Sequence, residues 1–321
     1  MRWLKTLLLL TLILAVVNGG LLYNLYRIDR SAHYLDETMV DRTVSLLAQS
    51  GIAVDKSRIP RKITELPLCE GKIEGEWEDY DLRIAMRLSG DSVTENFSLH
   101  MMVNGLKISN SVSGDQFVFY DGDRLSFSYQ REGNEAWQDA LDAFMQDESR
   151  AQYRALTESE TDRARRQLGS ALGYGTDEKK KEQFSLRVEE GYCTPDGSYS
   201  VLRCVQLFDG FAISNCEAIF LLSGGRILCA SGAMLLIGSV NDYAVTLRDQ
   251  LNILFSEREE LPSPADDESQ TDGETVLERM ELLYSVSFSS DFKTVYLIPA
   301  WRMTYRDGSV SVRSALDGSR L

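Results

Sequence analysis

The chain has 321 residues, 43% hydrophobic and 26% charged, the composition of an ordinary globular protein. Its formal net charge of −15 argues against a nucleic-acid partner and against attraction to an anionic membrane surface. Five cysteines, none in a C-x-x-C pair, and two histidines give no support to zinc or thioredoxin-type chemistry.

The first predicted element is the uncharged apolar run Thr6–Tyr26. At about 1.5 Å per residue its roughly 21 residues make a helix of about 31 Å, enough to cross a bilayer core once. Arg2 and Lys5 precede it and favour a cytoplasmic N-terminus, while Trp3, Tyr23 and Tyr26 fall where interfacial aromatics belong. The run reads as a retained signal-anchor, with everything after it extracytoplasmic. A cleaved signal peptide is the competing reading, but its apolar core should span only about 7–15 residues. Asn18, Gly19 and Gly20 interrupt the run. Small residues admit close helix approach and a buried Asn seeks a hydrogen bond, so these three are candidate contacts with a partner's membrane helix. A tolerated soft spot in a plain anchor is the other reading.

Beyond the anchor, Asp36–Ser50 is predicted to be an amphipathic helix. Val40, Val44 and Leu47 form its stripe, Met39 and Leu46 widen it, Asp36 caps its start and Gly51 ends it. Ile52–Val54 is a short apolar run, and Pro60 turns the chain. Leu82, Ile84, Met86 and Leu88 alternate with Arg83, Ala85 and Arg87, which predicts a strand. Phe117 and Phe119, Asp121-Gly122, then Leu125, Phe127 and Tyr129 predict a hairpin. A helix is expected through Trp137, Leu141 and Phe144, and Ala151–Leu172 is helix-friendly. The basic patch Lys179–Lys181 marks the domain boundary.

The second half repeats the plan. Strands are predicted at Phe184–Val188, Ser200–Phe208, Glu217–Leu222 and Ile227–Ala230, with a turn at Gly224-Gly225. Val245–Phe255 reads as a helix with Leu247, Leu251, Leu254 and Phe255 inward, and Pro262–Glu274 as an acidic loop. Strands around Tyr284–Phe288, Val295–Tyr305 and Ser309–Ala315 close the chain, the last two turned by Asp307-Gly308. The expected class is therefore α+β: one N-terminal transmembrane helix, then two successive antiparallel-sheet-plus-helix units. The expected organisation is anchor 1–28, stalk helix and connector 29–80, a first α+β domain 81–180 and a second 181–321.

No catalytic constellation emerges. His33 and His100 lack any motif around them, and G-x-S-x-G, H-E-x-x-H and the P-loop are missing. Ser290-Asp291-Phe292-Lys293 matches S-x-x-K without its companion elements and reads as a turn. Asp266, Asp267, Glu268 and Asp272 lack the order of a calcium loop. Cys69, Cys193, Cys204, Cys216 and Cys229 are odd in number, so at least one is free. Buried free thiols are expected, and a disulfide between two of the last four stays open. Catalytic, cofactor and metal sites are thus expected to be absent.

Two stretches carry a family resemblance. The N-terminal arrangement of basic start, anchor, amphipathic helix, Gly51-Ile52 and Ile59-Pro60-Arg61 resembles the YycH/YycI family of Gram-positive bacteria, particularly its YycI branch. Leu283-Tyr284, Leu297–Arg302 with its Pro-Ala-Trp-Arg core, Asp307-Gly308, Ala315 and Gly318 are similar to the ending of PepSY-like domains. Trp301 itself reads as core, and Pro299 as a position where the ladder needs no N–H. The resemblance implies a single-pass accessory protein of the WalK/WalR two-component system. Its implied partners are the WalK-type sensor histidine kinase and a sister YycH-like protein, and its implied role is in cell-wall metabolism. The alternative is a PepSY-like extracellular binding or peptidase-restraining module.

Overall fold

The computed structural model describes residues 18, 34–62, 64–73, 76–121, 123–133, 153–172, 183–237, 240–260 and 275–321. Strand accounts for 47% and helix for 23% of it, so sheet dominates. Two compact units are built from interleaved stretches of chain. One comprises the chain up to Leu66, Ala244–Glu281 and Ala300–Leu321; the other comprises Pro67–Tyr243 and Leu282–Pro299.

In the first unit, α1 (Glu37–Ala48) starts where the Asp36 carboxylate accepts from the backbone N–H of Thr38 at 2.7 Å. Its inward stripe is Val40, Thr43 and Leu47, while Met39 and Leu46 face solvent, so the apolar face is narrower than predicted. β1 (Ile52–Val54) pairs parallel with the first residues of β13 (Thr275–Phe288), Ile52 opposite Thr275. β14 (Thr294–Tyr305) pairs antiparallel with β15 (Val310–Ser314) from Ala300 onward. α4 (Gln250–Glu260) buries Leu251, Ile253 and Leu254; Leu247 precedes it, because the helix begins five residues later than Val245. Trp301, Met303 and Tyr305 are buried on one face of β14, as expected for core.

The second unit holds a long antiparallel meander. Its strands are β3 (Phe97–Met102), β4 (Gly105–Asn110), β5 (Gln116–Tyr120), β6 (Asp123–Gln130), β11 (Arg226–Ala233) and β10 (Phe211–Ser223), neighbours in that order. The other edge of β10 carries β9 (Ser200–Phe208), then β8 (Phe184–Cys193) and β7 (Arg154–Ala155). Phe117 stacks on Tyr129 at 4.7 Å across the β5–β6 pair. Gly224 and Gly225 take positive φ at the β10–β11 turn, as a two-residue hairpin requires. β2 (Leu68–Lys72) lies between β12 (Val240–Tyr243) and the first residues of β14. Pro299 falls between the end of the β2 pairing at Leu297 and the start of the β15 pairing at Ala300, so its missing N–H breaks no rung with either strand.

Two expectations need correction. The sheet is mixed, not a succession of antiparallel units: β1 runs parallel to β13, and β10 at Ile213 runs parallel to β13 at Tyr284. Such pairs join residues far apart in sequence and leave no turn signal between them. Residues Trp77–Ser89 form helix α2, not a strand. Tyr80, Ile84 and Leu88 are its buried residues at a spacing of four, and Gly90 ends it at φ 74°. Of the alternating residues Leu82, Ile84, Met86 and Leu88, only Ile84 and Leu88 belong to that buried stripe. No helix among the described residues is long and apolar enough to cross a membrane. The Thr6–Tyr26 run, Asn18 apart, lies outside those residues, as do the Trp137–Phe144 helix, Lys179–Lys181 and the Pro262–Glu274 loop.

Helix α3 (Glu158–Ala171) forms within the predicted Ala151–Leu172 stretch. Thr157 and Glu160 make a capping box, and Arg154 grips Glu160 with two bonds of 2.8 and 2.9 Å. These bonds, the Arg154 pair first, hold the Glu160 carboxyl well below the usual range.

Candidate functional site

Of the three proposed helix contacts, Asn18 is helical and exposed, and Gly19 and Gly20 lie outside the described residues. His33 does too, and His100 stands exposed on β3. Ser290 and Lys293 are not brought together as nucleophile and base. Lys293 Nζ donates to Glu76 Oε1 at 3.0 Å, and its backbone N–H donates to Asp291 at 3.1 Å. The segment is the β13–β14 turn that the sequence suggested.

All five cysteines are free and buried. Cys69 Sγ lies 3.6 Å from the Tyr284 hydroxyl, and Tyr284 packs edge-on against Phe208 and Phe211. Burial pushes the Cys69 and Cys204 thiols up to about 12 and raises the Tyr284 phenol as well. Burial thus favours the protonated thiol over the nucleophilic thiolate at both positions. Nearby Asp209 has its carboxyl raised, by partial burial first and by the charge of Asp242 second. An Ellman-type reagent at pH 8 is expected to leave all five thiols unmodified in the native chain and to titrate all five in denaturant. Fast native reaction of Cys69 or Cys204 would contradict this burial.

The other buried polar groups serve the fold. The Tyr80 hydroxyl donates to Met234 O and accepts from Leu236 N–H, both at 3.0 Å. Gln206 donates to Leu235 O at 2.7 Å and accepts its N–H at 2.8 Å. Asp115, fully buried, faces Arg131 at 3.5 Å and receives the Tyr129 hydroxyl at 3.4 Å. A shallow cavity of about 340 Å³ is lined by Arg83, Met86, Arg87, Gly90, Asp91, Ser92 and Ala171. Arg87 there donates to the Leu172 carbonyl at 2.9 Å, capping the end of α3. Asp91 accepts from Val93 N–H, Asn96 and Asn110, which lowers its pKa. No cluster of three metal-binding side chains occurs among the described residues.

The feature that the sequence did not disclose is the edge strand β3, which pairs with β4 and ends the sheet order. After Phe97 every residue of it is exposed. Leu99 is 41% exposed, Met101 72%, Met102 40% and, at the turn, Val103 98%. No charge or proline protects the stretch Phe97–Asn104. Natural edges are normally blunted by such residues, and among the described residues this one is not. In the sequence the stretch shows only as an apolar run around His100, Phe97–Val103.

The described residues thus present an exposed apolar strand at the end of a large mixed sheet. Comparison with known proteins adds no family: no family model matches, and no curated protein does. Among solved structures the chain is similar to an uncharacterized protein from Eubacterium rectale ATCC 33656, at 13% identity. The match covers 84% of this chain and 90% of that one with a TM-score of 0.43, too low to carry an argument.

Proposed function

We propose that this chain is a membrane-tethered regulatory protein that acts by binding, on a WalK-type sensor histidine kinase and so on cell-wall metabolism. The observation that carries the proposal is the uncharged Thr6–Tyr26 run heading a chain whose ending reads Pro299-Ala300-Trp301-Arg302. The placement of the chemistry-bearing side chains supports binding over turnover: Lys293 serves a turn with Asp291 and pairs with Glu76, and the thiols are buried. A helix that binds one state of a bistable kinase better than the other shifts its population. Asn18, Gly19 and Gly20 are the proposed contacts on the anchor, which places the folded region on the extracytoplasmic side. Coupling of about 1–3 kcal/mol gives about a 5- to 150-fold effect. Kinase autophosphorylation in proteoliposomes, with and without the full chain, is therefore expected to change at least about fivefold in one direction. An unchanged rate at saturating chain would overturn the reading.

A further inference from the structure

We propose that the edge strand β3 is a self-association site, where a second copy of this chain adds its own β3 antiparallel to the first. The inference stands apart from the kinase reading and rests on the strand itself. The β3–β4 hairpin closes at Met102 opposite Gly105 across the two-residue turn Val103-Asn104. In an antiparallel pair the residues alternate between those bonded across the pair and those facing away. Counting back from Met102, His100 and Ser98 face β4 with their main-chain groups, and Met101 and Leu99 present theirs outward.

A two-fold axis perpendicular to the sheet and centred on Met101 uses these groups. It sets Met101 opposite Met101 of the second copy and Leu99 opposite Val103. The most exposed apolar side chains then meet one another, and His100 lies opposite Met102. Such a two-fold contact is self-complementary by construction.

Charge and area identify the occupant. Strands β3 and β4 together carry one formal charge, Lys107, in a chain of net −15. Two acidic copies therefore meet with little charge repulsion along this edge. Leu99, Met101, Met102 and Val103, 41%, 72%, 40% and 98% exposed, supply the apolar surface of the contact. One strand from each copy buries less than the roughly 1,000 Å² of a stable interface, with the strand hydrogen bonds added. The association is thus weak and reversible.

The test uses the full chain. Met101→Cys in the purified full chain, oxidised mildly, is expected to give a disulfide-linked dimer, because the register puts position 101 opposite itself. Val112→Cys, exposed outside the strand, is the control and is expected to stay monomeric. In detergent, sedimentation is expected to show a concentration-dependent dimer whose dissociation constant rises at least about tenfold in Met101→Lys, where like charges would face each other. The proposal is overturned by equal cross-linking at both positions or by no cross-link at position 101. A parent chain sedimenting as a monomer throughout overturns it too, and this result needs no variant to fold.

Discussion

Arg313→Met is expected to lower the unfolding free energy by about 3–5 kcal/mol. Arg313 on β15 is 2% exposed, and its guanidinium bonds to Glu257 of α4, itself 9% exposed. Ser311 Oγ donates to the same Glu257 oxygen at 2.8 Å, and Arg313 Nη1 donates to the Gly318 carbonyl at 3.0 Å. The pair thereby joins a helix, a strand and the C-terminal turn. Removing Arg313 leaves a buried carboxylate without its counter-charge, which costs far more than the net worth of the pair. A melting-point loss on the order of 10 °C follows for a domain of this size. The double change Glu257→Leu with Arg313→Met should recover most of it, since an apolar pair of similar volume is often neutral. Urea unfolding of the three variants decides: an Arg313→Met loss below about 1 kcal/mol would show the pair to be solvated.

Gly232→Ala is expected to be comparably severe, at about 3 kcal/mol or more. Gly232 sits in β11 with neighbours on both sides, opposite Ala218 of β10 and Phe127 of β6. Its φ is 143°, and an added Cβ would run into the Glu217 carbonyl oxygen and the Ala218 Cα. Both are backbone of a central strand and cannot turn aside as a side chain could. Gly210→Ala is the control: φ there is 82°, but nothing lies within 4 Å of the added carbon, so only the conformational cost of about 1 kcal/mol remains. Equal losses at the two positions would show that backbone conformation, and not the close approach of β10 and β11, decides the effect.

The local part of this fold was legible in the sequence. Asp36 capped its helix, Gly224-Gly225 turned its hairpin, and Trp301 packed in its strand as expected. These features depend on residues within a few positions of one another. What depended on distant partners was not legible. The Arg313–Glu257 pair spans 56 residues, and β1 finds β13 more than 200 residues on. No spacing rule signals either. Helix α2 was misread because four alternating residues satisfy a strand period, while Tyr80 and the Gly90 stop reveal the helix only over its full length. The exposed face of β3 was hidden for a related reason: an apolar run reads as core until the sheet order puts it at an edge.

The central claim is that the chain regulates a kinase by binding it through the Thr6–Tyr26 segment. The direct measurement is co-purification from membranes of the native chain and of a version whose Thr6–Tyr26 segment is replaced by polyleucine. The account predicts recovery of a sensor kinase with the native chain and its loss with polyleucine. Recovery of a peptidase and no kinase, or equal kinase recovery from both versions, would contradict it.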